Sequence, residues 1–319
     1  MRAVLLWLLF LGTLAADVTI LVYHRFGDDR YPSTNISVEK LRNDFRYLKE
    51  NGYTVLPLAQ LGRMLEEKTP LPEKAVVLTI DDDYKSFYEN GLPVFREFGY
   101  PFTLFVYIAA TERHYSDYMG WEMVREAGKY GELGLHSFDH PHLHHHPADA
   151  VAKDTRKALE IFEKRMGYRP QAYAYPFGEF TASVKETIVS FGFPVICNQN
   201  AGAAAGFSNP QDLDRIAVTD DTDLVQKLSI KALNVQWADE NTLFAGDRFK
   251  TIKAFLPGTA AKTVELYVTG YGWQKVKVEN GAVELPFDRP MTRERNRIII
   301  KTPDNRWGTH LALKRSPNA

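Results

Sequence analysis

The chain of 319 residues contains a single cysteine, Cys197. No disulfide can therefore form within it, and the thiol does not stand in the N-terminal leader where a lipid-anchored cysteine would. No excess of either charge is present: 39 Lys and Arg face 40 Asp and Glu, whereas a protein built to grip a polyanion such as nucleic acid is expected to be more basic. With 21 glycines and 17 prolines there is no collagen-like or low-complexity bias, and no internal repeat stands out. The apolar run near the N-terminus falls short of the ~20 residues needed to span a bilayer. What is present is ordinary globular composition, 45% hydrophobic and 25% charged, in a chain long enough for about two domains at roughly 150 residues each.

Arg2 precedes the apolar run Val4 to Leu11, and Thr13, Leu14, Ala15 and Ala16 follow before Asp17. That order of charge, apolar core and small residues predicts a secretory signal over residues 1–16, cleaved after Ala15 or Ala16, and hence a periplasmic or secreted protein without a stable membrane span. The mature chain would carry a net charge of −2.

From Asp17 to about Ser229, short apolar runs alternate with amphipathic stretches, which predicts βα units around a parallel sheet or barrel. Val18 to Tyr23 reads as the first strand. Ser37 offers an N-cap to a helix on which Val38, Leu41, Phe45 and Leu48 recur, closed by Gly52. Further strands are expected at Thr54 to Leu56, Ala75 to Ile80, Phe102 to Tyr107, Glu132 to Leu135, Ala172 to Tyr175, Pro194 to Cys197 and Arg215 to Val218, and helices at Phe87 to Phe98 and Ala148 to Met166. After about residue 235 the pattern changes to period two, as in Thr263 to Val268, Gln274 to Val278, Ala282 to Leu285 and Arg297 to Lys301. A small all-β, sandwich-like domain over residues 235–319 is expected to follow an α/β domain over residues 17–234.

Three clusters fall where predicted strands end, and carboxyl ends of strands are where sites gather in α/β proteins. They are Asp81, Asp82 and Asp83; His136 and His140; and Tyr175, Pro176, Phe177 and Gly178. Clustered acids are usually a solvated turn, and two histidines four apart are usually surface residues. Together they read differently, because an apolar strand running into three carboxylates suffers like-charge repulsion that a bound cation would offset. Imidazole and carboxylate are standard zinc ligands, and three of them with an open position suit catalysis. His136, His140 and one aspartate are therefore assigned to a divalent metal. The second aspartate is left to take a proton from a water that the ion acidifies.

At this point the α/β part resembles a polysaccharide deacetylase, the NodB-homology domain of carbohydrate esterase family 4. The family's TFDDG motif is similar to Thr79, Ile80, Asp81, Asp82, Asp83, and its HSxxH or HTxxH motif followed by Pro is matched by His136, Ser137, Phe138, Asp139, His140, Pro141. The resemblance covers roughly residues 17 to 230. It implies a distorted (β/α) barrel, Asp81 as base, Asp82, His136 and His140 as ligands to one divalent ion, most simply zinc, and Ser137 as a shaper of the loop. Asp83 stands where the family usually has Gly, which would place another charge beside the base. Ala174 stands where the RxPY or RxPF motif has its arginine, and no LxH motif supplies the usual acid. His24, in a Tyr23–His24 pair similar to that of the poly-N-acetylglucosamine deacetylase branch, is the best substitute acid.

Tyr175, Pro176 and Phe177 are expected to line the substrate pocket. Tyr23, Tyr84 and Trp121 could also offer faces to a sugar, although aromatics near strand ends are as often packing. His142, His144, His145 and His146 could form a second metal site, but a solvated loop is the plainer expectation. Tyr267, Tyr271, Trp273 and Trp307 read as sandwich core rather than as a glycan platform. The reading as a whole is a metal-dependent hydrolase that removes N-acetyl groups from an acetylated polysaccharide such as poly-N-acetylglucosamine, peptidoglycan or a chitin-like glycan. Its rivals are an O-acetyl esterase of the xylan type with the same site, a non-catalytic glycan-binding protein on the same scaffold, and a mononuclear iron oxygenase.

Overall fold

The computed structural model describes residues 16–314, so the predicted signal at residues 1–16 lies almost wholly outside the described residues. Among those described, no helix is long and apolar enough to cross a membrane.

Eight parallel strands make the first sheet: β1 (Val18–Tyr23), β2 (Thr54–Leu56), β3 (Ala75–Asp81), β4 (Thr103–Val106), β5 (Glu132–Leu135), β6 (Ala172–Ala174), β7 (Val195–Cys197) and β8 (Ile216–Ala217). Their spatial order is β8-β1-β3-β4-β5-β6-β7. β2 pairs with Ala75–Val77 at the start of β3, and β4 takes over from Thr79 to Asp81 on the same strand. A parallel bridge between Cys197 and Leu213 ties β7 to the segment leading into β8. The sheet is thus a half-barrel, the distorted barrel that the sequence predicts. β1 and β3 are buried along their whole length, as parallel strands covered on both faces must be.

Residue parity divides each strand between two cores. Leu21 and Tyr23 of β1, Val76, Leu78 and Ile80 of β3, Leu133 and Leu135 of β5, and Tyr173 of β6 face the surrounding helices. Val18, Ile20, Ala75, Val77, Phe105, Ala172, Ala174, Val195 and Cys197 face inward, where helix α2 (Leu58–Glu66) covers them with Leu58, Leu61 and Leu65. Helix α1 (Val38–Glu50) starts at Ser37, whose hydroxyl accepts a hydrogen bond from Lys40 N at 3.3 Å, and buries Leu41, Phe45 and Leu48 on one face. The helix expected over Phe87–Phe98 is divided into a π-turn, Phe87–Gly91, and α3 (Leu92–Phe98). Pro93 explains the break: lacking an N–H, it cannot continue a regular α-helical ladder. Three helices matter for the loops above: α4 (Ile108–Glu112), α5 (Trp121–Ala127) and α6 (Ala148–Met166).

Apart from the short helix Glu240–Leu243, the C-terminal part is β-structure among the described residues. One sheet has five strands, running from Lys231–Ala232 through Arg306–Leu313, Arg295–Lys301 and Thr263–Val268 to Gly272–Lys277. The other is built on Arg248–Phe255, paired along most of its length with Ala282–Pro290. Phe249, Ile252, Leu266, Val283, Ile298 and Ile300 are among the residues that fill the space between them. The expectation that the four aromatics belong to this core is corrected. Trp273 is 46% exposed, Tyr267 and Trp307 lie beside it with ring centroids 5.3 and 6.0 Å away, and Trp307 packs against the α/β core instead. Only Tyr271 leans on the sandwich interior. On Thr263–Val268 it is Val264, Leu266 and Val268 that point inward, so Tyr267 falls on the outer face with its cross-strand neighbour Trp273.

Candidate active site

The parity that sorts the core also sorts the chemistry. Thr79 and Asp81 share the inward side with Ala75 and Val77, so β3 delivers a carboxylate into the barrel mouth. His136, two residues after Gly134, emerges inward from β5. Its Nδ1–H donates to the carbonyl of Ala174 on β6 at 2.8 Å, which leaves Nε2 as the free ring nitrogen and fixes the tautomer. The loop from His136 to His140 is strained, with Ser137 at φ 63° and His140 at φ 51°. Ser137 Oγ holds the turn by accepting from His140 N at 2.9 Å, and Asp154 of α6 accepts from Phe138 N and Asp139 N.

Asp82, His136 and His140 come together. His140 Nε2 lies 3.1 Å from Asp82 Oδ1 and 3.2 Å from His136 Nε2, and His136 Nε2 lies 3.5 Å from the same carboxylate oxygen. Ligands about 2.0–2.1 Å from a tetrahedral ion would be ~3.3 Å apart, so the three atoms already match the edges of such a polyhedron. Buried Asp82 Oδ1 accepts no well-aligned hydrogen bond despite its neighbours. An acceptor left without a donor beside two imidazole nitrogens fits a cation, and these residues form a group able to hold one. Burial alone would raise the Asp82 carboxyl, but His140 and His136 outweigh it and hold it well below the usual carboxylate range. Burial lowers His136 to about 4, which keeps its imidazole neutral as a ligand must be.

Asp81 is fully buried, with Oδ2 3.9 Å from His136 Nε2. Arg215 grips it with a fork: Nη1 donates to Oδ1 at 2.7 Å and Nη2 to Oδ2 at 2.8 Å. Gln199 Nε2 adds a third bond to Oδ2 at 3.1 Å. Arg215, itself fully buried, is positioned by the carbonyl of Asn198 at 2.7 Å and by Thr79 Oγ1. Burial would raise the Asp81 carboxyl, and the Arg215 guanidinium, with His136 and His24, keeps it below its ordinary value. No sequence motif marks Arg215: position 174, where the family motif has its arginine, holds alanine, and the residue just before β8, at the other edge of the sheet, supplies the guanidinium instead. The available signal was parity: Ile216 and Val218 face the helices, so Arg215 and Ala217 must point inward.

Asp83 does not crowd the base. Its oxygens are turned to Tyr107 N at 2.7 Å and Thr111 Oγ1 at 2.6 Å, where they brace the start of α4, and burial pushes this carboxyl well above its ordinary range. The expectation of a further charge beside Asp81 is corrected accordingly.

A cavity of about 480 Å3 opens over this group, and His24, Tyr84, Tyr118, Phe177 and Arg295 are among the residues around it. Of the three residues expected to wall the pocket, only Phe177 does so. Tyr175 is fully buried, stacked on Phe180 with centroids 4.9 Å apart, and Pro176 is buried beneath the turn. Parity again gives the reason: Ala172 and Ala174 face inward, so Tyr173 and Tyr175 face the helices. Tyr23 and Trp121 are likewise core. Phe177 stands at φ 58°, and Gly178, at φ 68°, is pressed so close to Gln199 that a Cβ would lie 2.4 Å from that residue's Cβ. The histidine run is not simply solvated either, since the His144 side chain is only 2% exposed and faces buried Glu179.

Residues 68–196 match the polysaccharide deacetylase family model, a span that includes both motifs and excludes His24 and Arg215. A poly-beta-1,6-N-acetyl-D-glucosamine N-deacetylase of Escherichia coli (strain K12) is 25% identical over 59% of this chain and 34% of its own length, so the chain spans about a third of that relative. Among solved structures, IcaB from Ammonifex degensii superposes with a TM-score of 0.60 at 24% identity, over 67% of this chain and 96% of that one. The deacetylase PplD of Streptococcus pyogenes, solved in complex with acetate, gives 0.62 at 19% identity, over 67% of this chain and 99% of that one. These likenesses in fold stop short of the whole chain, and the family match falls on the strands that present the aspartates and histidines. The match to the polysaccharide deacetylase family model thus covers residues 68–196, within an α/β part that shares the half-barrel fold of these solved structures.

Proposed function

We propose that the domain hydrolyses the N-acetyl group of a polymeric amino sugar to a free amine and acetate, outside the cytoplasm after removal of residues 1–16. Residues 17–234 would carry the reaction, with Asp82, His136 and His140 holding one divalent ion, zinc by the chemistry of its donors. When bound, the ion supplies Lewis acidity towards the amide carbonyl and a water. Asp81 takes the water's proton; Arg215 and Gln199 fix its two oxygens so that the carboxylate meets the water without reorganising. The Phe177 N–H donates to the oxyanion that develops as the carbonyl carbon becomes tetrahedral. His24, beside the same cavity, donates a proton to the departing amine as the carbon–nitrogen bond breaks. No glycosidic bond is cut: Asp81 and Asp82 are consecutive residues at one strand end, Asp82 grouped with His136 and His140, whereas glycosidases need two carboxyls about 5–9.5 Å apart across a sugar ring.

The observation that carries this reading is the buried Asp81, clamped by Arg215 and 3.9 Å from a histidine of the Asp82–His136–His140 group. The E. coli relative's name makes poly-β-1,6-N-acetylglucosamine the first substrate to try. Acetate release should be measured on that polymer, chitin oligomers, peptidoglycan and acetylxylan, with Asp81→Asn as control. Oxygen-independent release from an N-acetylated glycan, lost in Asp81→Asn, is expected. Release from acetylxylan alone would make the protein an esterase, and silence on every substrate by metal-loaded protein would overturn the catalytic reading in favour of a glycan-binding one.

A further inference from the structure

We propose that the chain binds a second transition-metal ion, of the zinc class, on His142, His144 and Glu179, beside the catalytic cavity. Glu179 is 1% exposed, so its charge needs close partners. Its Oε2 lies 2.7 Å from His142 Nδ1 and 3.1 Å from His144 Nδ1, while Oε1 is left to Arg295 Nε at 3.2 Å. The three donors lie within 4.8 Å of one another, and two imidazoles with one carboxylate are a zinc donor set.

His144 is the member of the trio left without any hydrogen-bond partner for its ring nitrogens. Its side chain is buried, yet neither nitrogen has such a partner, although Nδ1 stands 3.1 Å from Glu179 Oε2. An imidazole buried with both nitrogens unsatisfied is unfavourable, and coordination would satisfy one of them with a partner that needs no hydrogen-bond alignment. A neighbouring trio, His144, His145 and Glu294, shares this residue. Its carboxylate is 56% exposed and needs no ion to compensate it, so the buried set is the better site.

The position gives the ion a task. His142 stacks on the Phe177 ring, with centroids 4.1 Å apart and planes 10° from parallel, and Phe177 in turn meets His140 at 4.5 Å. Arg295 of the β region bonds both Glu179 and the Phe177 carbonyl. An ion here would pin the cavity wall to the loop after β5 and to the C-terminal domain, without touching substrate.

The site does not depend on the deacetylase reading, and metal counting tests it. The full-length mature chain is stripped with chelator, reloaded with zinc, desalted and analysed for metal per chain. Two ions are expected in the wild type, one in Asp82→Asn/His136→Ala, one in His144→Ala, and none when the sets are combined. His142 is 42% exposed on its side chain, so His142→Ala provides a second variant should His144→Ala fail to fold. Zinc should also raise the melting temperature of Asp82→Asn/His136→Ala and fail to do so once His142→Ala is added. A wild type holding one ion that His142→Ala and His144→Ala leave in place would overturn the proposal. So would a second ion lost with His145→Ala and Glu294→Gln but retained in His142→Ala.

Discussion

Replacing Arg215 with methionine leaves the Asp81 carboxylate buried with its fork removed. Both side chains are fully buried, and the two bonds of 2.7 and 2.8 Å are short charge-assisted contacts. Breaking such a pair from one side costs roughly 3–5 kcal/mol. The carbonyl of Asn198 also loses its partner, adding about 1 kcal/mol. For a domain of this size each kcal/mol moves the melting temperature by about 2–4 °C, so R215M should melt roughly 8–24 °C lower. The double variant D81N/R215M has no charge to strand and should recover at least ~2 kcal/mol of the loss, because exchanging both members of a buried pair for neutral groups is often close to neutral. R215K keeps the charge but not the fork and should fall between R215M and wild type. Urea unfolding of wild type, D81N, R215M and D81N/R215M, read by circular dichroism with R215K alongside, gives the cycle directly. If R215M unfolds within about 1 kcal/mol of wild type, or if adding D81N restores nothing, Arg215 does not act as the partner of the base.

Other expectations follow from single contacts. His24→Ala should lower kcat by about 10²-fold or more with zinc content unchanged, the scale of a lost general acid; unchanged turnover would remove His24 from the mechanism. Gly178→Ala should cost about 1–3 kcal/mol, since its φ of 68° disfavours a side chain and the new methyl would meet Gln199, and it should lower kcat by displacing the amide that bonds Asp81. Gly62→Ala drives a Cβ to 2.3 Å from Val195 Cγ2 and should destabilise by a similar amount with no effect on metal content. Cys197 is buried, and burial pushes its thiol up to about 12; at pH 8 the thiolate fraction is roughly 10⁻⁴. A disulfide reagent should therefore label it only after unfolding, and rapid labelling of the native protein would contradict the burial.

Much of the architecture could be read from local pattern. The strand Glu132–Leu135 and the helix Ala148–Met166 coincide with their predicted bounds, because an apolar run between turn residues and a 3.6-residue stripe are local signals. Arg248–Phe255 was not among the strands named from alternation, and the reason is a shift in register between Phe249 and Thr251. The irregularity places buried Phe249 and Ile252 three apart and breaks the two-residue period.

The motifs, their order and their place at strand ends are properties of the chain alone, because side-chain direction along a strand follows from covalent geometry and a histidine four residues from another needs only its own loop to meet it. What only the tertiary structure decided is which distant group answers each of them. Asp81 and Arg215 are 134 residues apart, and no spacing rule joins β3 to β8 until the intervening strands curl the sheet round. Glu179 finds His142 and His144 in the same way, from a turn after a different strand. Contacts of this kind depend on how the whole sheet closes, which is set by the sum of many packing interactions and is written in no single segment.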